Sequence, residues 1–370
     1  MKKIVFIAPE FYPVNGGVAN AVYIFAAALV KQGYKLWIIT PQYTQKDARY
    51  ENYNNIKILR IPRIPIKGIR YLSFVMYSIY LIRKIMPDLV FGIMVWHGGT
   101  ISALASILFG IKSATQAHGS DVDELYFPGL KLLTKFSLKY NSYVFSTNTE
   151  FKNKLLLLYN RKINLLRNII QTDYTNFSKE EYRQKVNFKK DKFYLLSIGR
   201  LVKINNIETK GISYVLKAMH SLKGCKLIVL GDGSLKDVFE KYIIKNKLDS
   251  QICLMGKVPK HKVIDYMRAS DCLIFPSLTE GLSMVLLEAM TNKLPVITTK
   301  VGGSADIILD EYNGLFIDKK SIQSIIQAVN KLKNNTLLQE KISKNGMTTC
   351  ITLFNETRII TDFEEAIGWK

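Results

Sequence analysis

The chain has 370 residues, which is enough for two domains of ordinary size. Its hydrophobic share of 48% and charged share of 22% are typical of a globular protein and exclude a disordered one. The formal net charge of +22 favours an anionic partner, for which nucleotide phosphates, nucleic acid and an anionic membrane face are candidates. The cysteines are scattered without paired spacing, which predicts reduced thiols in a cytoplasmic protein rather than disulfides or zinc ligands.

We expect no segment that spans a membrane. The stretch Met1–Glu10 is too short and too soon broken by a proline for a signal sequence, so it predicts a first buried strand. The run from Tyr71 to Ile82 is apolar, but it is shorter than the ~20 residues that a spanning helix needs.

Strand-like runs alternate with helical stretches along the whole chain. In the first half the predicted strands are Lys3–Ala8, Lys35–Thr40, Ile56–Arg60, Leu89–Gly92, Ser113–Ala117 and Tyr143–Ser146. In the second half they are Phe193–Ile198, Lys226–Leu230, Gln251–Met255, Cys272–Phe275, Pro295–Thr299 and Leu315–Ile317. This alternation predicts an α/β fold of parallel sheets covered by helices. Because the series restarts after a polar passage, we expect two doubly wound, Rossmann-like domains, residues 1–172 and 173–356, facing across a cleft.

Basic residues are concentrated in the first half of the chain. No acid lies between Glu51 and Asp88, although seven Lys and Arg residues do. Lys131, Lys135 and Lys139 recur every four residues and therefore share one face of a predicted helix. That helix fits either an anionic lipid surface or a solvated basic face on a helix that packs on the core.

Two motifs of the first domain follow predicted strands. Gly16 and Gly17 open a helix, where adjacent glycines let backbone N–H groups approach an anion; the alternative is an ordinary tight turn. His118 stands at a strand end beside a glycine, where it is placed to face the cleft, although a lone histidine is usually structural. Asp121 and Asp123 could hold a metal, but we expect none, because no further cluster of oxygen ligands is apparent.

The second domain contains cations and carboxylates at predicted strand ends. Arg200 closes its first strand and Lys210 precedes the next helix, a pairing that suits a diphosphate. Glu280 lies in a strand-to-helix loop, the place where open α/β sheets bind ligands, and Ser283 is a candidate helix N-cap. Glu288 follows inside an apolar helix, where a carboxylate needs hydrogen-bond donors such as vicinal hydroxyls. The alternative is a pair of surface glutamates.

Taken in this order, these residues resemble the family 4 glycosyltransferases, retaining enzymes of the GT-B type with two Rossmann-like domains. The run from Glu280 to Met290 looks like the family's E-x7-E signature, and SIGRL with KGISYVLKAM looks like its phosphate-binding stretch. The LPVITT and VGG segments, the early glycine pair, the His-Gly pair, and Asn168 before Asp173 and Phe177 also match.

The resemblance implies a role for each matching residue. Glu280 would contact the donor sugar near the reacting centre, and His118 would face that sugar. The remaining donor contacts would come from Arg200, Lys210, Glu288, Gly16, Gly17, Gly281, Leu282, Ser283 and Val258. No cofactor or metal is expected. In one departure Lys210 lies ten residues after Arg200 instead of about five, so Ile204 to Thr209 looks like an insertion and Lys203 competes for the phosphate role.

The reaction that the resemblance implies is hexosyl transfer from a UDP- or GDP-sugar to a hydroxyl. The basic first domain suggests a lipid-linked or polysaccharide acceptor at the inner face of a bacterial membrane, with a C-terminal helix, residues 357–370, completing that domain. A sugar-nucleotide epimerase of the same fold is the alternative. A nucleic-acid-binding protein would explain the charge, but the basic residues are not interleaved with aromatic residues as in a known RNA or DNA module, so no specific nucleic acid is expected.

Overall fold

The computed structural model describes residues 1–13, 16–123, 128–170, 178–204 and 207–370. The chain divides into two compact units. Unit 1 comprises Met1–Gln171 and Phe354–Lys370, and unit 2 comprises Thr172–Leu353. Elements are numbered along the chain.

Unit 1 is a parallel sheet covered by helices. Its strands are β1 Lys3–Ile7, β2 Lys35–Pro41, β3 Tyr50–Tyr53, β4 Ile56–Ile61, β5 Leu89–Ile93, β6 Lys112–Ala117, β7 Tyr143–Ser146 and β8 Asn164–Leu165. Its helices are α1 Gly17–Lys31, α2 Lys67–Ile85, α3 Gly99–Phe109, α4 Ser120–Asp123, α5 Pro128–Tyr140 and α6 Thr149–Leu158, and a π-helical turn spans Met94–Gly98. The strand order is β3-β4-β2-β1-β5-β6-β7-β8, and only β3 is antiparallel to its neighbour.

Unit 2 repeats this architecture. Its strands are β9 Phe193–Ile198, β10 Lys203–Ile204, β11 Ile207–Glu208, β12 Cys225–Leu230, β13 Ile252–Gly256, β14 Cys272–Phe275, β15 Val296–Thr299 and β16 Leu315–Ile317. Its helices are α7 Lys179–Lys185, α8 Ile212–Ala218, α9 Lys236–Lys245, α10 Lys260–Ala269, α11 Met284–Thr291, α12 Ser304–Ile307, α13 Ile322–Lys333 and α14 Thr336–Leu353. Six parallel strands pair in the order β13-β12-β9-β14-β15-β16, and β10 with β11 forms a separate hairpin.

The predicted class, two doubly wound α/β units, is confirmed. In each sheet the first strand of the unit is central and the order reverses beside it, between β1 and β5 in unit 1 and between β9 and β14 in unit 2. These are the switch points at whose carboxyl edge open α/β sheets bind ligands. Among the described residues, no helix is both long and apolar enough to cross a bilayer.

The last helix, α15 Glu356–Ala366, belongs to unit 1. The ring of Phe363 is fully buried and lies 5.2 Å from Phe25, 5.8 Å from Phe91 and 5.9 Å from Phe145 between centroids. Tyr34 donates a hydrogen bond of 2.7 Å to Glu364. The C-terminal residues therefore fill the aromatic core of the unit in which the chain begins.

Candidate functional site

The candidate site of unit 2 lies at the switch point of its sheet. Arg200 follows the end of β9 after one glycine and is exposed. The loop that carries Glu280 follows the end of β14, the next strand in the sheet. Because parallel strands end at the same edge, the sheet brings both loops to the position where a ligand is expected.

Lys210 and Glu280 form an ion pair at this edge. The Nζ atom of Lys210 donates to Oε2 of Glu280, and the hydroxyl of Ser277 donates to the same oxygen at 3.3 Å. The two charged side chains are 21% and 18% exposed. The Lys210 ammonium also lies 4.9 Å from the centroid of the Phe275 ring, within range of a cation–π contact. The ion pair is therefore partly shielded from water, with the Ser277 hydroxyl contacting its carboxylate and the Phe275 ring contacting its ammonium.

Backbone contacts fix where Lys210 lies. The N–H of Leu278 donates to the carbonyl of Thr209 at 2.9 Å, which joins the two loops. Gly211 has a φ of +63°, and a Cβ there would lie 2.2 Å from the carbonyl oxygen of Pro276. Only glycine permits this approach. The structure therefore selects Lys210, rather than Lys203, as the partner of Glu280.

Lys203 lies in a hairpin instead. It is exposed on β10 and pairs in register with Glu208 on β11. The segment Ile204 to Thr209, which looks like an insertion in the sequence, supplies most of this hairpin, although residues 205–206 lie outside the description. The extra residues project as a hairpin, so they lengthen the spacing from Arg200 without removing Lys210 from the site.

The loop before α11 is supported by a glycine pair that the sequence analysis left without a role. The N–H of Gly303 donates to the carbonyl of Gly281 at 2.6 Å. At Gly302, with a φ of +50°, a Cβ would lie 1.9 Å from the carbonyl oxygen of Glu280. The available signal was the VGG segment, which begins two residues after β15. Leu282 is buried beside this pair, and Ser283 is the predicted N-cap, accepting from the N–H of Leu286 at 3.4 Å.

Glu288 lies on α11 with its side chain 24% exposed. Burial raises the pKa of its carboxyl, and the charge of Lys260, whose Nζ is 3.9 Å away, opposes that rise. Lys260 begins α10, two residues after the half-buried Val258. A carboxylate that burial makes costly, facing one distant cation, is suited to accept hydrogen bonds from a ligand.

In unit 1 the glycine pair lies at the start of α1, as predicted. Gly16 is the N-cap with extended backbone, no side chain caps the helix, and Gly17 is its first residue. The two residues before Gly16 lie outside the description. The first N–H groups of α1 therefore point out of a helix end, where a macrodipole favours negative charge.

The carboxylate of Asp121 organises the loop that carries His118, directly after the end of β6. The Asp121 carboxylate is fully buried and accepts from the backbone N–H groups of Val95 (2.8 Å), His118 (3.0 Å) and Gly119 (2.8 Å). The oxygens of Asp121 are therefore occupied by backbone N–H groups, which argues against the metal alternative for the D-x-D pair. The side chain of Asp123 lies outside the description. Burial lowers the pKa of His118 to about 4, so the ring is neutral at pH 7, and its buried Nε2 has no partner among the described residues.

The remaining site residues of the sequence analysis are less informative. Asn168 is buried and lines a small cavity with His118, whereas Asp173 and Phe177 lie outside the described residues. Within the part of the chain that the structure describes, no three His, Cys, Asp or Glu side chains group as metal ligands.

A larger cavity of about 240 Å³ opens in unit 1 at the carboxyl ends of β1, β2 and β4. Its lining combines Arg63 and Arg70 with aromatic rings, among them Tyr71 and His97. The His97 ring packs 4.9 Å from Tyr71, and burial lowers its pKa to about 4. This cavity was not predicted from the sequence, although the WHGG run that begins three residues after β5 contains one of its lining residues, His97.

Comparison with protein families matches both parts of the chain. Residues 178–349 match the model described as glycosyl transferases group 1. Residues 12–149 match the model described as glycosyl transferase 4-like. The two matches lie one in each structural unit.

Similar proteins carry related descriptions. An uncharacterised glycosyltransferase of Methanocaldococcus jannaschii is 29% identical over 264 residues, which is 70% of this chain and 69% of the relative. An Escherichia coli enzyme, UDP-Gal:alpha-D-GlcNAc-diphosphoundecaprenol alpha-1,3-galactosyltransferase, is 24% identical over 271 residues, which is 70% of this chain and 69% of that enzyme.

Solved structures share the fold over the whole chain. Sucrose-phosphate synthase of Thermosynechococcus elongatus has a TM-score of 0.86 at 18% identity, with 99% of this chain and 98% of that one covered. HepE of Anabaena, solved with UDP-glucose, has a TM-score of 0.82 at 17% identity with both chains fully covered.

Proposed function

The chain belongs to the family 4 glycosyltransferases and has the GT-B fold, and from this premise we propose the reaction that it catalyses. A hexosyl group passes from a UDP- or GDP-sugar to an acceptor hydroxyl, with retention of the anomeric configuration. The observation that carries this proposal is the Lys210–Glu280 pair at the switch point of unit 2.

The site is suited to a leaving group that gains negative charge. Cleavage of the bond between the anomeric carbon and the phosphate builds charge on the diphosphate, which Lys210, the exposed Arg200 and the N-terminus of α11 would stabilise. Because these cations are part of the chain, we propose that transfer needs no metal ion.

Glu280 has two roles in this proposal. Without a ligand it neutralises Lys210. A diphosphate has more negative charge than one carboxylate, so a bound diphosphate displaces Glu280 as the ionic partner of Lys210. Glu280 is then released to contact the sugar, where positive charge develops in the transition state. Attack on the same face of the sugar, with the leaving phosphate helping to deprotonate the acceptor, accounts for retention without a second carboxylate.

The rest of the donor is assigned to neighbouring loops. Glu288 would accept hydrogen bonds from the ribose hydroxyls, and Val258, two residues after β13, would flank the base. The similar structure that was solved with UDP-glucose supports a uridine nucleotide. We propose that Gly16, Gly17 and His118 of unit 1 complete the donor site, with His118 as a neutral hydrogen-bonding group.

For the acceptor we propose a lipid-linked glycan at an anionic inner-membrane surface, in bacterial surface polysaccharide synthesis. Support comes from the relative whose name includes a diphosphoundecaprenol-linked acceptor. The segment between Glu51 and Asp88, which is basic and free of acids, and the cavity with Arg63 and Arg70 both suit a phosphate-bearing glycolipid.

The first test is a thermal-shift panel with UDP, GDP, ADP, NAD and their sugar conjugates, with and without EDTA. A ligand at 100 times its dissociation constant adds about 2.7 kcal/mol to stability, which moves the melting point by a few degrees. We expect stabilisation by one nucleotide family, unchanged by EDTA. A shift with NAD alone, or NMR spectra showing epimerisation of the donor without an acceptor, would contradict the proposal.

Glu280→Gln tests the catalytic assignment. It keeps the side-chain shape but removes the charge, so we expect transfer to fall by about 100-fold or more. UDP binding should not weaken, because the diphosphate no longer competes with a carboxylate for Lys210. Glu240→Gln, at an exposed site on α9, is the matched control and should leave both quantities unchanged. Full activity of Glu280→Gln would remove this residue from the reacting centre.

A further inference from the structure

Helix α2 has two apolar faces, of which the fold uses one. Phe74, Ser78 and Ile82 follow each other at four-residue intervals and are buried, with Phe74 and Ile82 in a core cluster under the sheet. The opposite face is apolar as well. Its side chains are exposed by about half or more: Ile69 48%, Leu72 58%, Met76 65%, Tyr77 54% and Tyr80 59%. We call these five residues the α2 stripe.

The α2 stripe is one continuous surface. At ~100° per residue, Ile69, Leu72, Met76 and Tyr80 fall within about a quarter of the helix circumference, and Tyr77 borders them. On α3, which packs against α2, Ile107 and Leu108 are also 52% and 58% exposed. Single exposed apolar residues are ordinary on a protein surface, but a contiguous row marks a surface that something covers.

The charges around the α2 stripe identify the partner. No Asp or Glu lies between Glu51 and Asp88, so α2 itself carries no acid. Arg83 and Lys84 are exposed in the last turn, and the guanidinium of Arg83 lies 5.7 Å from the ring centroid of Phe109 on α3. A surface that combines apolar side chains, tyrosines and cations without acids is complementary to the headgroup region of an anionic bilayer.

We propose that the α2 stripe lies in the interface of an anionic bilayer, with Arg83 and Lys84 contacting lipid phosphates. This inference rests on the proposed function for its purpose, which is access to a lipid-linked acceptor. The inner side of the same helix contributes Arg70, Tyr71 and Phe74 to the 240 Å³ cavity of unit 1. One helix therefore sets that cavity directly beside the surface in which a lipid-linked acceptor is embedded.

The other basic helix has a different character. On α5, Lys131, Lys135 and Lys139 are exposed, but Leu138 is buried in the core and Phe136 is half-buried. Of the apolar side chains between these lysines, Leu132 is exposed (70%), whereas Leu133 is half-buried. This corresponds to the solvated basic face of a core-packing helix, so α5 supplies a matched control for charge without apolar surface.

The experiment is co-sedimentation of the full chain with vesicles of phosphatidylcholine, alone or with about 30 mol% phosphatidylglycerol. We expect binding to the anionic vesicles, reduced about tenfold or more in the variant Leu72→Gln/Met76→Gln/Tyr80→Gln. The control variant Leu157→Gln/Ile244→Gln/Leu337→Gln changes three side chains that are 90%, 71% and 80% exposed on other helices, and it should bind normally. Arg83→Gln/Lys84→Gln should lose about tenfold, whereas Lys131→Gln/Lys135→Gln should lose much less.

Equal binding by the stripe variant and the control would overturn the proposal. The proposal would also be overturned if the wild type failed to bind vesicles and formed a dimer, measured by light scattering, that the stripe variant does not form. In that case a second copy of the chain would cover the α2 stripe. UDP stabilisation and transfer to a detergent-dispersed acceptor should survive the stripe variant. If the wild type showed neither UDP stabilisation nor transfer, the proposed function would be contradicted, whereas the vesicle result would still stand.

Discussion

Glu288 combines a cost in stability with a predicted gain in binding. Burial raises the pKa of its carboxyl, so the folded protein holds this proton to higher pH than the unfolded chain does. Protonation of Glu288 therefore stabilises the folded protein fully at pH values below the pKa of this group in the unfolded chain. That stabilisation is lost as the pH rises through the pKa in the folded protein. At neutral pH the ionised group therefore destabilises the ligand-free protein.

We expect Glu288→Gln to raise the melting temperature of the ligand-free protein at pH 7 and to have little effect near pH 4. The same substitution should weaken UDP binding about tenfold, because an amide accepts fewer hydrogen bonds from ribose hydroxyls. Thermal melts across pH and calorimetric titration with UDP measure the two effects. A variant that melts lower at pH 7 and binds UDP normally would show that Glu288 is structural.

Lys210 and Lys203 provide the second prediction at the scale of single residues. Lys210→Gln should weaken UDP binding by about tenfold or more, because it removes a charge-assisted contact to the diphosphate. Lys203→Gln, on the exposed hairpin, should bind as the wild type does. Calorimetry on both variants is decisive, since the reverse ranking would transfer the phosphate role to Lys203.

Spacing along the chain predicts some site residues and misses others for a physical reason. Ser283 as an N-cap and Glu280 after a strand follow from local pattern, and the structure has both in those positions. The contact of Lys210 with Glu280 does not follow, because it depends on a glycine that approaches the carbonyl of Pro276 across the fold. Nor does the role of Gly302, whose contact with the Glu280 backbone joins loops after different strands.

At the scale of elements, α15 is the part of unit 1 most open to a test. Phe363→Ala removes a fully buried ring from among three others, so we expect a loss of about 3–5 kcal/mol in the free energy of unfolding. Glu365→Ala changes an exposed residue of the same helix and should cost little. Denaturant titration of both variants, and the solubility of a chain that ends before Thr357, measure the contribution of α15. A soluble, active truncation would contradict it.

The strands that the sequence predicts are those with apolar runs, and each is present to within about two residues at its ends. The missed ones are β3, an exposed edge strand rich in Tyr and Asn, the two-residue strand β8 and the short hairpin β10–β11. None of them buries a continuous apolar face, so none leaves a periodic signal. Their pairing depends on neighbours that the local sequence does not reveal.

At the scale of the whole molecule, alternation of strands and helices predicts two parallel sheets, because crossover helices force the strands to run the same way. It does not predict the order of the strands, which sets which loops meet at the switch points. We expect unit 2, Thr172–Leu353, to fold and bind UDP when it is produced alone, because it is one continuous segment with its own core. Circular dichroism and calorimetry test this, and an unfolded product would show that its core depends on the rest of the chain.

Unit 1 is built from two separate segments, Met1–Gln171 and Phe354–Lys370, and the second segment is synthesised only after the whole of unit 2. Until Phe363 emerges, the rings of Phe25, Phe91 and Phe145 lack the side chain that covers them, and the whole of unit 2 must be translated in between. At roughly 5–20 residues per second, that delay is about ten seconds or more. The two units are therefore completed in the reverse of the order in which they are begun: unit 2 has its whole sequence while the aromatic core of unit 1 still lacks Phe363.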